Sequence, residues 1–278
     1  MFDRVIFATD FSEYTEKITN ILKTYKDLFG EVIPVRVVNI NKTVKTIFSE
    51  IDEWIRKEKE IAENRLLELA DRLQEAGISV DWFYIPVGDP ATEIARVAEK
   101  VGASLIIMGS RGNSVLKTIL LGSVAEGVLR KSRTPVIIVR GDNPNIFDKI
   151  LYVHYPLEVD ERVLDHIDAM AKAGNKKIVL LNVVAPMLPP ESTSNLMIRE
   201  YERAKEILEE LKDRFAEKNI DIKVIVKFGR PSREILRTAQ EEKVTMIALR
   251  PQIKGGSLSS TTKIIVRMSN VPIFVWKR

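Results

Sequence analysis

The chain has 278 residues, of which 45% are hydrophobic and 29% charged, and a formal net charge of +4. That length favours two domains of ordinary size over one core, and the composition excludes a disordered chain. The absence of cysteine excludes disulfides, thiolate metal sites and a cysteine nucleophile.

Short apolar runs alternate with segments of helical periodicity. Val5 to Ala8 reads as a first buried strand, and Ile18, Ile21, Leu22, Tyr25, Leu28 and Phe29 recur at helical spacing, with Gly30 as the closing residue. Val32 to Val38 is the second strand. A long helix follows with Ile51, Trp54, Ile55, Leu66, Leu69 and Leu73 inward, and Gly77 ends it. Val80 to Ile85 is the third strand. Asp89-Pro90 is a helix start, an N-cap followed by proline at the first helical position, and Ile94, Val97, Ala98 and Val101 form that helix's stripe. Ser104 to Met108 is the fourth strand, Val124, Ala125, Val128 and Leu129 line a last helix, and Pro135 to Val139 is the fifth strand.

The pattern then repeats at a spacing of about 140 residues. Val87-Gly88-Asp89-Pro90 is echoed by Phe228-Gly229-Arg230-Pro231, Thr134-Pro135-Val136 by Val271-Pro272-Ile273, and Val32 to Val38 by Ile178 to Val184. Between the copies, Gly141-Asp142-Asn143-Pro144-Asn145 is turn chemistry and reads as a linker. This gives two domains, 1–141 and 148–278. Continuous apolar strands separated by helices mean parallel sheets covered on both faces, and such sheets bind ligands beyond the carboxyl ends of their strands.

The segment Met108-Gly109-Ser110-Arg111-Gly112, continued to Leu121-Gly122-Ser123-Val124, runs from a strand end to a helix start. Glycines there would let main chain approach a phosphate, and free amides at the helix N-terminus favour an anion. The alternative is that the glycines only make turns. Arg111 and Lys117 either neutralise the anion or are solvated.

Gly-x-x-Gly-x9-Gly-Ser resembles the ATP-binding signature of the universal stress protein family. Ala8-Thr9-Asp10-Phe11-Ser12 is similar to the Asp-x-Ser that follows the family's first strand, and Val87-Gly88-Asp89-Pro90 and Thr134-Pro135-Val136 fall in register. The resemblance implies two tandem Rossmann-like or flavodoxin-like α/β domains, each a five-stranded, mostly parallel sheet with helices on both faces. It also implies ATP, or ADP or AMP, in the first domain, with Mg2+ or Mn2+ held through the phosphates. Ala8, Thr9 and Asp10 would then lie beside adenine and ribose, and Val37 would offer main-chain groups to the adenine edge. Met108, Gly109, Arg111 and Gly112 would line the ribose and α-phosphate, and Gly122, Ser123 and Val124 would hold the outer phosphates. Arg36 stands where the family often has histidine. Asp10 has a second reading as the cap of the first helix, a role that Ser12 fits better.

The second copy keeps the fold pattern and loses the site. Tyr155 takes the place of Asp10, Leu249 and Gln252 replace the leading glycines, and Ser259-Ser260 replace Gly-Ser. Ala248 to Ser260 therefore reads as a polar loop that does not bind ATP in the family manner, with Arg250, Lys254 and 255–257 a lesser candidate for a small anion. His154 and His166 read as surface or boundary residues. The fifth strands, Val136 to Val139 and Ile273 to Trp276, are apolar edges that need a partner. They suggest a pseudo-dimer of the two domains within one chain, or a homodimer.

The expected function is a nucleotide-binding regulator acting on an unspecified protein partner. The enzyme alternative is a slow ATPase or a relative of the adenine-nucleotide α-hydrolases. No Walker A lysine or strand-end carboxylate pair is present. The small, dispersed positive excess does not point to nucleic acid. No secretory signal or membrane-spanning run is found, so a cytoplasmic protein is expected.

Overall fold

A computed structural model describes residues 1–40, 51–111, 121–155, 160–185, 194–251, 253–254 and 257–277. The chain forms two compact units, Met1–Pro144 with the last residues from Lys277, and Asn145–Trp276.

The first unit runs β1 (Phe2–Ala8), α1 (Tyr14–Thr24), β2 (Phe29–Val35), α2 (Ile51–Glu75), α3 (Pro90–Lys100), β3 (Leu105–Gly109), α4 (Ser123–Lys131) and β4 (Val136–Val139). Its strands are parallel in the order β2-β1-β3-β4. The chain winds outward from β1 to β2, then crosses back to β3, so the order reverses between β1 and β3. Such a reversal opens a crevice at the carboxyl ends of those strands. Side chains of Ile18, Ile21 and Leu22 on α1, Leu66, Leu69 and Leu73 on α2, and Ile94, Val97 and Ala98 on α3 are buried. Each contributes roughly 1.5–3 kcal/mol, less for the alanine.

Three local expectations change. Gly30 does not end the first helix: α1 stops at Thr24, Lys26–Leu28 makes a 3-10 turn, and Gly30 lies inside β2. A Cβ on Gly30 would sit 2.4 Å from the Asp3 carbonyl oxygen, so contact with β1 requires the glycine. The expected third strand is reduced to isolated parallel bridges, Ser79 to Glu31, Tyr84 to Val35 and Val87 to Val38. It flanks β2 and runs into Pro86, which has no N–H for a ladder, and Trp82 there is half exposed. On α2, Ile51, Trp54 and Ile55 are only half-buried. Gly77, with φ +80°, closes that helix as expected, and its N–H donates to the Gln74 carbonyl.

The second unit runs β5 (Ile150–Val153), α5 (Glu161–Ala173), β6 (Lys177–Val184), α6 (Ser194–Ala216), β7 (Asp221–Phe228), α7 (Pro231–Glu241), β8 (Met246–Leu249), β9 (Ile253–Lys254), β10 (Ser257–Leu258), α8 (Ser260–Met268) and β11 (Ile273–Val275). Five of these strands form a parallel sheet in the order β11-β8-β5-β6-β7, the same winding as the first unit. Where a polar loop was expected, β9 and β10 pair as a short antiparallel hairpin. His154 is 1% exposed rather than at the surface, because it follows directly on the buried β5. Its N–H donates to the Leu181 carbonyl. Among the described residues no helix is long and apolar enough to cross a membrane.

Candidate functional site

In the first unit, the residues singled out in the sequence meet at the reversal of strand order. Ala8 ends β1 in register with Val35 on one side and Met108 on the other. The Thr9 N–H donates to the Val35 carbonyl at 3.0 Å, so Thr9 continues the ladder and fixes where Asp10 leaves the sheet. Past Val35, the Arg36 N–H donates to the Tyr84 carbonyl and the Val38 N–H to the Pro86 carbonyl. Alternation along an extended chain then turns the Val37 N–H and C=O the opposite way, toward the β1 side. A side chain of any type at Val37 leaves those main-chain groups in place.

The turn after β1 is held by its own polar groups. The Phe11 N–H donates to Thr9 Oγ1 at 2.9 Å, Thr9 Oγ1 is 2.8 Å from Thr15 Oγ1, and the Ser12 N–H donates to Asp10 Oδ1 at 3.1 Å. Phe11 adopts φ +59°, and its ring is covered by the Arg65 guanidinium, 4.1 Å from the centroid, and by Arg36 at 5.8 Å. Arg36 thus has a packing role against Phe11. The expected cap at Ser12 is not formed: Glu13 occupies the N-cap of α1 without a side-chain bond, and Ser12 contributes only its carbonyl, to the Thr15 N–H. Asp10 braces the turn.

At the end of β3, Gly109 faces Tyr14. A Cβ there would lie 2.5 Å from the ring's Cγ. The buried Tyr14 hydroxyl accepts from Ser110 Oγ at 2.8 Å, and the Ser110 N–H donates to the Val139 carbonyl. The glycine therefore admits the tyrosine ring, a reason that the sequence pattern alone does not disclose. The Ser110 carbonyl accepts from the Gly122 N–H at 2.8 Å, which draws the start of α4 to the end of β3. A Cβ on Gly122 would come within 3.2 Å of that same oxygen. Gly112 and Lys117 lie outside the described residues.

Gly122 is the N-cap of α4, in extended conformation, and offers no side chain to the first turn. Its own N–H is spent on Ser110, so the groups left for an outside acceptor are the first-turn amides of Ser123 and Val124 and the exposed Ser123 hydroxyl. Arg111 is half-buried nearby. Arg140, which sequence reasoning missed because it merely follows a strand, is 6% exposed. Burial, and secondarily the Arg111 guanidinium, lower its pKa against the pull of Tyr14. The two guanidiniums make this corner positive.

The second unit shows the same frame with different chemistry. His154 N–H to Leu181 O matches Thr9 N–H to Val35 O, and Gly229 N–H to Val184 O matches Gly88 N–H to Val38 O. Tyr155 thus stands at the Asp10 position and Asn182 at the Arg36 position. Asn182 Nδ2 donates to the His154 carbonyl at 2.7 Å, tying β6 to the end of β5. The N-cap of α8 is Ser259, whose Oγ accepts from the Thr262 N–H at 3.2 Å. The helix start that is bare in the first unit is capped from within in the second. No group of three or more His, Cys, Asp or Glu positioned for a metal ion occurs among the described residues.

Comparison with known proteins agrees with the repeat. The model of the universal stress protein family matches residues 1–140 and again 147–277. A universal stress protein of Methanocaldococcus jannaschii is 33% identical over 162 residues, covering 51% of this chain and 98% of that protein. One from Bacillus subtilis is 44% identical over 91 residues, covering 32% of this chain and 60% of that protein. Among solved structures, a universal stress protein from Archaeoglobus fulgidus superposes with a TM-score of 0.73 at 30% identity, covering 99% of this chain and 96% of that one.

Proposed function

The chain belongs to the universal stress protein family, and on that premise we propose that its first unit binds one adenine nucleotide as a regulatory ligand, ATP or its di- or monophosphate. The observation that carries the reading is the glycine N-cap of α4. Among the described residues it leaves the amides of Ser123 and Val124 without a side-chain acceptor from the N-cap, at the point where the strand order reverses. A phosphate chain supplies the missing acceptors, and the positive end of the helix dipole adds to the attraction.

In this reading adenine and ribose lie over Ala8, Thr9 and Asp10, with the Val37 main chain at the base edge. Met108, Gly109, Arg111 and Gly112 flank the ribose and first phosphate, and Gly122, Ser123 and Val124 receive the outer phosphates. Arg140 adds positive potential from below. Among the described residues no carboxylates are gathered for a cation, and Mg2+ or Mn2+ would ride on the phosphate oxygens. We propose further that the two domains pair through their fifth strands. Independent tumbling of the two units in solution would reject it.

The test is the purified protein itself. Mass and absorbance of the co-purifying small molecule identify the nucleotide, and calorimetry gives its stoichiometry. One nucleotide per chain, lost in Gly122→Val, is the expected result. Unchanged affinity in Gly122→Val overturns the site. Sustained release of AMP and pyrophosphate would move the reading to a hydrolase.

A further inference from the structure

The crevice of the second unit, lost to nucleotide by the substitutions above, is not filled in. A cavity of about 460 Å³ opens there at the carboxyl ends of β5, β6 and β8. Its volume lies within the roughly 300–1000 Å³ of small-molecule sites. Val153, Val184 and Leu249 form the strand-end part of its lining, Leu196 and Met197 come from α6, and Ile235 from α7. Leu196 is 58% exposed and Tyr155, at the same opening, 47% exposed. Apolar side chains left open at the mouth of a concave site are what an apolar ligand covers.

The aliphatic hydroxyls of the lining are gathered on one side, with Glu200 and Asn182 the polar exceptions on the other. α6 packs on β6 and β7, whereas Arg250, Ser259, Thr261 and Thr262 all come from the end of β8 and the start of α8. Strand order sets β8 on the far side of β5 from β6. The cavity therefore grades from an apolar end at α6 to a hydroxyl-rich end at α8. Among the described lining residues Arg250 is the one cation, and Glu200, on the α6 side, the one anion. One cation against one anion gives no net attraction for a polyphosphate, but it places a single positive group at the polar end. Tyr155 and the Asn182–His154 bond further separate this lining from that of the first unit.

We infer that the second unit binds an apolar small molecule with a single acidic head, its body between α6, α7 and the strand ends and its head at Arg250. The chain would then read two chemically distinct ligands, one in each half.

The probe is 8-anilinonaphthalene-1-sulfonate, an apolar body with one acidic group, titrated by fluorescence into the full chain, with neutral 1-aminoanthracene in parallel. The expected result is one saturable site per chain for each. Ala185→Trp and Thr261→Trp, both at half-buried lining positions, should each abolish binding of both probes without lowering the melting temperature. Either variant suffices if the other fails to fold. Arg250→Gln should weaken the sulfonate probe by about tenfold, the scale of a lost bond to a charged group, and leave the neutral probe within about twofold. Absence of a saturable site, survival of binding in a folded tryptophan variant, or equal effects of Arg250→Gln on both probes overturns the inference. So does stoichiometric displacement of the probe by ATP, which would make the cavity a nucleotide site.

Discussion

Gly122→Ser gives the first unit what Ser259 gives the second, and it should separate stability from binding. The backbone at Gly122, φ −65° and ψ 147°, suits any L residue, so the change adds no dihedral strain. The new Cβ would stand 3.2 Å from the Ser110 carbonyl oxygen and 3.5 Å from Arg111 Cα, tight enough to require a shift of a few tenths of an ångström. The new hydroxyl can accept from the third amide of α4, as Ser259 Oγ does for Thr262 at 3.2 Å. Serine in place of glycine at an N-cap contributes a few tenths of a kcal/mol, which the close contact offsets. Net stability should stay within about 0.5 kcal/mol, or about 1–2 °C in melting temperature. Nucleotide affinity should not survive. The hydroxyl competes for the amide turn and occupies the space of a phosphate oxygen, and a lost hydrogen bond to a charged group costs about 1.5–3 kcal/mol. At about 1.4 kcal/mol per decade, ATP should bind roughly 10- to 150-fold more weakly. Isothermal calorimetry and differential scanning calorimetry on one preparation read both quantities. A dissociation constant within a factor of two of the parent, with an unchanged melting temperature, would refute the reasoning, because the bare cap would then have no part in binding. The reciprocal Ser259→Gly should cost a few tenths of a kcal/mol and create no second ATP site.

Saturating ATP at about 100 times its dissociation constant should stabilise the first unit by about 2.7 kcal/mol and leave the second unmoved, read as a shift in one of two calorimetric transitions or one shoulder of a merged one. Gly109→Ala would put a methyl 2.5 Å from Tyr14 Cγ and push the ring off Ser110, so urea unfolding should show a loss of about 1–3 kcal/mol. Asp89 caps α3 through the Thr92 N–H and pairs with Lys131 at 2.7 Å, and Lys131 first, then Thr92, hold its carboxyl at about 2. Asp89→Ala should cost about 1 kcal/mol at neutral pH. Because the folded pKa is depressed, that contribution is present above the unfolded value near 3.9 and fades as the pH falls through about 2, so parent and variant should converge in acid. Arg65→Ala uncovers Phe11 and should cost about 0.5–1 kcal/mol, visible in chemical denaturation.

Much of this was legible in the residues. The two-fold repeat, the alternation of strands and helices, and the helix start at Asp89-Pro90 follow from apolar periodicity and cap chemistry, which are local. The segment at 80–85 reads as a full strand because an apolar run does not reveal that its outer side lacks a neighbour. Gly30 was misread because a glycine after a helical stripe looks the same whether it ends a helix or lets two strands touch. The sequence marks Gly109 and Gly122 for phosphate approach or for turns. The structure gives a further reason for each: Gly109 admits the Tyr14 ring, and Gly122 lies against the Ser110 carbonyl. Tyr14 and Arg140 had no signal at all, since one is separated from Ser110 by 96 positions and the other is an arginine after a strand, a place where solvation is the ordinary outcome. The cavity of the second unit was hidden for the same reason, being assembled from β5, β6, α6, α7, β8 and α8.

The difference between the halves comes down to where polar groups are satisfied. An uncapped helix start is a small standing cost to the empty protein, since an unmet buried donor forfeits about 1–3 kcal/mol and a partly solvated one less. The first unit has no N-cap side chain to reduce that cost at α4, and on the proposed function a phosphate would reduce it. The second unit meets one amide of its helix start, that of Thr262, with Ser259 Oγ, and ties β6 to β5 with the Asn182 carboxamide. A helix start that is capped from within gains less from phosphate. The crevice does not depend on that cap: it follows from the order of the strands, which both units share, and in the second unit it keeps an apolar floor. The fold thus holds the position of the crevice constant in the two units, and on the proposed function the N-cap residue is one of the differences that set what each could bind.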